Sequence, residues 1–379
     1  MDNIVGKKSS LTWAVHISVI FLVLMWVIPV FGLLVSSFRT GDQISTSGWW
    51  RALTTQEQSL PPIRIEGQEA QQDGAFVIAG NLFKNASTTL SAWGTSSREP
   101  TAYEPGAVAD LGDGQTLTVQ DNGDFVLSSP ATLEGTRLPR VFTTAATPPE
   151  FTLNNYRNVI FSPLAGQSIG QAFLNTLTVA IPATIIPILI AAFAAYALAW
   201  MDFPGRALLI AAVVGLLVVP LQLALIPLLQ LHNALGIGKS YLGIWLAHTG
   251  FGLPLAIYLL RNYMIGLPRD IIENARVDGA TEFQIFIKII LPLSFPALAS
   301  FAIFQFLWTW NDLLVALVFL GTGNDQQVLT ANLVNLMGSR GGDWEILATS
   351  AFVSIAVPLL VFFAMQKYLV RGLLAGSVK

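Results

Sequence analysis

The chain has 379 residues, 53% hydrophobic and 11% charged, with mean hydropathy +0.60. Soluble domains carry about 25% charged residues, so this deficit describes an integral membrane protein rather than an ordinary soluble one. The net charge of −3 and the lack of a basic patch with interleaved aromatics exclude a nucleic-acid binder, and the absence of cysteine excludes disulfides and thiol chemistry.

The first apolar segment, Trp13 to Phe38, follows Lys7 and Lys8. Arg39-Thr40-Gly41-Asp42 is not a small-residue cleavage site, so the segment reads as a retained span rather than a signal peptide. A membrane helix needs about 20 apolar residues. Segments near 13–37, 170–200, 206–230, 241–263, 294–320 and 346–367 qualify. They contain Pro29, Pro182, Pro187, Pro220, Pro227, Pro254 and Pro358, which membrane helices tolerate as kinks.

Residues 39–168 interrupt this pattern and are rich in Thr, Ser, Gly, Pro, Asp and Gln. Asn122-Gly123 lies between Thr116–Gln120 and Phe125–Leu127, a strong β-hairpin signal, and Gly74–Ala79 reads as a further strand. The stretch is expected to be a small, mostly-β domain, ending in a linker over Thr144–Glu150 that holds Pro148-Pro149. The chain thus divides into 1–38, 39–168 and a helical core 169–379.

Loop charges suggest an orientation. With a cytoplasmic N-terminus, the inner side holds Lys7, Lys8, Arg206, Arg261, Arg269, Arg276, Lys288, Lys367, Arg371 and Lys379, against Lys239 and Arg340 outside. Both termini and the segment Glu273–Pro292 are then cytoplasmic, and 39–168 is extracytoplasmic.

That segment reads as two short helices. Pro268 suits a helix start, and Asp270 and Glu273 favour its N-terminus. Ile271, Ile272, Ala275 and Val277 supply a partly apolar face, and Asp278-Gly279 stops the helix. Thr281 with Gln284 forms a capping box, and Phe283, Phe286, Ile287, Ile290 and Leu291 form the second apolar stripe. An amphipathic re-entry segment without a partner would also fit these features.

The spacing supplies more. Glu273-Asn274-Ala275, three residues, Gly279, nine residues, Ile289, one residue and Leu291-Pro292 resemble the EAA loop of ABC importer permeases. Asn274 in place of the middle Ala is the only departure. Phe151–Tyr156, Phe173-Leu174-Asn175-Thr176-Leu177, Trp310-Asn311-Asp312 and the tail Gly372–Lys379 are similar to permeases of the MalG type, membrane components of binding-protein-dependent sugar transport. The likeness covers the first span and everything from about residue 150, but not the long insert. The insert with Gly48-Trp49-Trp50 looks like the α-glucoside importer variant.

The resemblance implies an all-α polytopic membrane protein with six transmembrane helices of the type I ABC importer permease fold. The mostly-β extracytoplasmic domain would sit between helices 1 and 2. It implies a bacterial inner membrane location and sugar transport by alternating access. The partners would be a second homologous permease, two ATPase subunits and an extracytoplasmic solute-binding protein, with lipid around the spans. No cofactor would bind this chain; ATP and Mg would sit on the ATPase subunits. The EAA loop, residues 265–292, would be the coupling helix seated on the ATPase. Glu273 would make the polar contact, Ala275 would pack closely and Gly279 would allow the turn, with Asp278, Leu291 and Pro292 completing the motif. The tail Ala375–Lys379 would reach the same interface or fray.

Outside that loop, Asp312 is the acidic residue expected deep in a span, where an ionised Asp costs roughly 2.5–3.5 kcal/mol. It either pairs structurally or lines a pathway, as Asn311 and Gln305 also could. Gln222 and Gln305 could offer amides to a sugar, and Trp308 and Trp310 could stack or pack. His248 reads as a packing residue, and His16, His232 and His248 lack metal-ligand spacing. Gly236-Ile237-Gly238-Lys239-Ser240 imitates a phosphate-binding loop, but the required earlier Gly is Asn233. Energy must therefore come from another polypeptide. A secondary transporter or a membrane sensor with a β ectodomain remains the alternative. A membrane enzyme lacks any acid pair or nucleophile-base set.

Overall fold

The computed structural model describes residues 10–72, 74–84, 88–133, 136, 138–163, 168–321, 323, 325–339 and 342–375. It divides into two compact units, Met1–Leu153 and Asn154–Lys379.

The first unit opens with α1 (Ser10–Ser37). From Leu11 to Phe31 its side chains are exposed at all positions but Thr12 and Val30. A helix apolar on every face requires an apolar surrounding. Next come α2 (Gly41–Thr46) and a single 3₁₀ turn, Trp49–Arg51. The strands are β1 (Gln56–Ser59), β2 (Ile63–Arg64), β3 (Glu69–Gln72), β4 (Ala75–Asn81), β5 (Thr89–Gly94), β6 (Val108–Gly112), β7 (Gln115–Val119), β8 (Asp124–Ser129) and β9 (Arg140–Thr147).

One antiparallel sheet runs β3-β4-β8-β7-β6, and the other gathers β1, β2 and β5 around β9. The Asn-Gly turn joins β7 to β8 as the sequence predicts, with Gly123 at φ +84. Pro61-Pro62 separate β1 from β2 along β9, since proline gives no ladder donor. Thr144–Thr147 are not a linker: they form the end of β9, paired with β1 and β5. Burial alternates from Val141 to Ala145, but the residue types Val-Phe-Thr-Thr-Ala do not, so the strand was not legible there. Both sheets feed one core through Ile65, Ile78, Trp93, Leu117, Leu127 and Val141. Trp93 Nε1 donates to the Glu104 carbonyl at 3.0 Å, so this largest buried side chain leaves no polar atom unmatched.

The second unit is helical. Its elements are α3 (Asn154–Phe161), α4 (Ile169–Trp200), α5 (Arg206–Leu216), α6 (Leu221–Ala234), α7 (Tyr241–Ile265), α8 (Arg269–Val277) and α9 (Glu282–Ile285). A π turn over Phe286–Ile290 leads to α10 (Leu291–Leu293), α11 (Phe295–Asn311), α12 (Leu314–Phe319), α13 (Leu329–Ser339) and α14 (Trp344–Ala375).

Among the described residues, α1, α4, α7 and α14 are each long and apolar enough to cross a membrane. Two expected spans are broken. The third bends by 109° between α5 and α6; the fifth, expected over 294–320, is entered through a 69° bend between Leu293 and Phe295 and is interrupted at Asp312 between α11 and α12. Counting each bent pair as one span gives up to six. Pro220 explains the first break: it lacks an N–H and drives the preceding residue out of helix. Apolar composition alone does not register such a break.

Alanine lets α4 and α7 approach closely. Ala191, Ala192 and Ala195 of α4 and Ala256 of α7 are buried together. The carboxyl end of α4 is closed by arginines: Arg206 Nε donates to the Leu198 carbonyl at 3.0 Å and Arg261 Nε to the same oxygen at 3.2 Å. The Phe173–Leu177 motif also proves structural. Asn175 Nδ2 donates to the carbonyls of Asp325 and Gln327, both at 3.0 Å, and the Thr176 hydroxyl accepts the Leu329 N–H at 2.8 Å.

Candidate docking hairpin

The segment from Pro268 to Pro292 forms the expected helix pair. Pro268 precedes α8, whose end is a Schellman closure: Gly279 N–H donates to the Arg276 carbonyl and Ala280 N–H to the Ala275 carbonyl, both at 3.0 Å. Gly279 adopts φ +83, which only glycine takes without strain. Ala275 and Ala280, half-buried, sit together beneath the turn. Thr281 and Gln284 cap α9 reciprocally: Thr281 Oγ1 accepts the Gln284 N–H at 3.3 Å, and Gln284 Oε1 accepts the Thr281 N–H at 2.9 Å.

Beyond α9 the chain widens. Leu291 N–H donates to the Phe286 carbonyl, an i to i+5 bond. Pro292 has no N–H for the Lys288 carbonyl and its ring would crowd that oxygen, so the wider turn accommodates it. Leu291 is half-buried and Pro292 exposed.

Ile272, Ile285, Phe286 and Ile290 seat the hairpin on α4 and α7, in one core with Ala195, Leu260 and Met264. Phe286 meets Phe193 at 4.6 Å and Tyr196 at 5.2 Å between ring centroids. A polar clamp reinforces the seat. The Tyr196 hydroxyl donates to Glu282 Oε2 at 2.5 Å, and Arg276 Nε donates to Glu282 Oε1 at 2.9 Å. The Tyr196 bond and then the Arg276 guanidinium hold the Glu282 carboxyl below the usual carboxylate range, against its partial burial. A depressed folded-state value means the clamp is complete at neutral pH and is lost as pH falls through that value. Acidification should therefore weaken the hairpin seat. The Glu282→Gln variant should begin less stable and show a flatter acid limb in thermal melts of the purified protein. An acid limb identical to the native one would contradict the clamp.

Four side chains expected on the inward faces are exposed instead: Val277 at 86%, Phe283 at 65%, Ile271 at 40% and Ile287 at 39%. Val277 lies five residues past Ile272, about 140° around a helix, which turns it away from the seat. Val277 and Phe283 are the most exposed apolar side chains of the hairpin, whose Glu273, Asn274 and Asp278 are exposed as well. Assignment by residue type, rather than by helical period, put Val277 and Phe283 on the inward stripe.

The other predicted positions lie elsewhere. Asp312 is not deep in a continuous helix: it is an extended residue between α11 and α12, and its Oδ2 accepts the Val315 N–H at 2.9 Å. His248, fully buried, places Nε2 at 3.8 Å from that carboxylate and meets Trp308 edge-on. Gln305 is sealed in the core, where Nε2 donates to the Ala183 carbonyl at 3.1 Å, so it offers no amide to a solute. Asn311 is exposed and donates to the Leu307 carbonyl at 2.8 Å. Trp308 borders an apolar cavity of about 440 Å³ with Leu217, Phe251 and Pro254, whereas Trp310 is packed. Gln222 is exposed. Ser240, in the imitation phosphate loop, is the N-cap of α7 and accepts the Gly243 N–H. Residues 376–379 of the tail lie outside the described residues.

Long apolar helices, broken spans and a rigidly seated polar hairpin define a polytopic membrane permease. The chain belongs to the family of binding-protein-dependent transport system inner membrane components, whose model matches residues 173–374. It is the permease subunit of an ABC importer, a transport component and not an enzyme. It is 64% identical over 381 residues to the alpha-glucoside transport system permease protein AglG of Rhizobium meliloti (strain 1021), covering 99% of both chains. It is 61% identical over 230 residues to the osmoprotective compounds uptake permease protein GgtD of Synechocystis sp., covering 61% of this chain and 76% of that one. The fold matches the crystal structure of a bacterial ABC transporter involved in alginate import, with TM-score 0.50 and 22% identity, over 59% of this chain and 81% of that chain.

Proposed function

We propose that this permease carries an α-glucoside across the inner membrane, driven by ATP hydrolysis on separate ATPase subunits at the hairpin. The substrate class rests on the 64% identity to an alpha-glucoside permease along the full chain. The coupling role rests on one observation: a Schellman-closed, capped hairpin that buries one face and presents Glu273, Val277, Asp278 and Phe283 on the other. Such a tip is preorganised for a protein cleft, because its ordering cost is met before docking. Gly279, Ala275, Leu291 and Pro292 set its shape.

In this reading Glu273 makes a polar contact with the ATPase, and Val277 and Phe283 fill its cleft. Closure of two ATPase subunits on ATP and Mg draws the hairpin of this chain toward that of a second permease. The bundle then switches between inward-open and outward-open states. A solute-binding protein delivers the sugar on the side that carries the strand domain. Six spans follow when the bent pair α5–α6 crosses once and α11 crosses beyond the hairpin, with both termini cytoplasmic and the strand domain extracytoplasmic. Asp312 and Asn311 hold the α11–α12 break, and Gln305 locks α4, α7 and α11 together.

The test is co-expression with candidate partner subunits. Val277→Asp with Phe283→Asp should remove the ATPase from the purified complex and abolish ATP-driven α-glucoside uptake. Both sites are exposed, so insertion and thermal stability should hold. Sugar uptake by the chain alone along an ion gradient would defeat this function.

A further inference from the structure

Where α1 ends and the strand domain begins, the first unit carries an aromatic cluster. Trp49 lies against α1. A Cβ on Gly32 would come within 2.7 Å of its indole Nε1, so glycine provides the notch that receives the ring. Phe31 meets the same indole edge-on at 5.9 Å, and Trp50 meets it edge-on at 6.0 Å. Trp50 is 70% exposed and Leu53 81% exposed, and Phe151 joins them at the rim of one apolar cavity.

The cluster is held in place. Arg39, buried at the end of α1, donates to the Ser47 carbonyl at 3.0 Å, the Gln43 carbonyl at 2.7 Å and the Ser47 hydroxyl at 2.5 Å. The Thr152 N–H donates to the Phe38 carbonyl at 2.7 Å, which brings Phe151 to the same level. A mobile loop could hide such side chains by collapsing; this one is braced with them outward.

The length of α1 identifies what surrounds them. Trp13, exposed near its start, stands 19 residues before Gly32. At 1.5 Å per residue that is about 28 Å, against a hydrocarbon core of about 30 Å. Tryptophan concentrates at both edges of a bilayer. Trp13 and Trp49, the latter held by the notch at Gly32, are spaced to match the two edges, with the exposed Trp26 between them. The cluster continues the exposed apolar surface of α1, and the exposed cation Arg51 follows Trp50 directly.

We propose that the turn Trp49–Leu53, with Phe151, is a lipid anchor at the bilayer surface on the side of the strand domain. Trp50 and Leu53 enter the upper acyl region, and the Arg51 guanidinium binds headgroup phosphate. The anchor fixes the root of the strand domain to the membrane plane. It rests on α1 spanning the bilayer and is independent of the substrate.

The chain has no cysteine, so single labels are clean. The Trp50→Cys, Leu53→Cys and Gln71→Cys variants, each carrying a nitroxide, are placed in phospholipid nanodiscs as the full-length chain with the subunits that copurify. Collision with oxygen and with an aqueous nickel chelate is then measured by electron paramagnetic resonance. At 50 and 53 oxygen accessibility should exceed nickel accessibility, and at the exposed strand position 71 the order should reverse. Equal nickel accessibility at 53 and 71 overturns the proposal by placing the turn in water. Shielding of 50 and 53 from both reagents overturns it in favour of a protein neighbour.

Discussion

Replacing Gly279 by proline should abolish transport in a chain that still inserts and folds its membrane core. Proline is confined to φ near −65°, whereas this position sits at φ +83. The substitution also removes the N–H that closes α8 on the Arg276 carbonyl. No atom outside the turn lies within 4 Å of a Cβ built here, so the damage comes from the backbone rather than a clash. A graded series isolates that cause. Asparagine tolerates the left-handed region and should transport near the native rate. Alanine should lose about 1–2 kcal/mol of turn stability, roughly a tenfold loss of seated hairpin. Adding Glu273→Ala to the proline variant should leave no ATPase in the purified complex. The measurements are sugar uptake in vesicles and the ATPase recovered with the chain. Native uptake by the proline variant would remove the hairpin from the coupling path.

Trp310→Ala should be the most destabilising single substitution in the helical unit, and Trp308→Ala should be mild. Trp310 is 1% exposed and joins three helices. Its ring meets Phe173 of α4 at 5.6 Å and stacks on Phe306 of α11 at 5.5 Å, and its Nε1 donates to the Ser354 carbonyl of α14 at 3.0 Å. Truncating a buried Trp costs roughly 3–5 kcal/mol, and the orphaned carbonyl adds to it. Trp310→Phe should fall between, since it keeps most of the packing and loses the donor. Trp308, 39% exposed, anchors no comparable junction. Thermal melting of the three variants in one detergent gives the order. Equal losses at 308 and 310 would contradict this assignment.

Local chemistry was legible wherever one residue type has one conformational use. Gly279 at a helix end, the Thr281–Gln284 box and the Asn122–Gly123 turn lie where the sequence puts them. The family motif was legible for the same reason, because its spacing records a turn, a cap and a π-widened proline. Features that depend on partners distant in the chain were not. Apolar runs could not show that Leu217–Pro220 breaks a span, nor that Asp312 caps α12. Residue type alone placed Val277 and Phe283 inward; the helical period turns Val277 away from the buried Ile272, and both are exposed. Gln305 looked like a ligand because its acceptor, the Ala183 carbonyl, is 122 positions away.

Arg206 and Arg261 carry two demands at once. Both contribute to the basic excess that argues for a cytoplasmic face, and both close the carboxyl end of α4 on the Leu198 carbonyl. Selection cannot vary the insertion signal at these sites without also unfastening a helix. Engineering meets the same constraint: a charge reversal at either arginine, meant to flip the chain in the bilayer, confounds misorientation with misfolding. Lys288, exposed on the hairpin, offers a cleaner position for that manipulation.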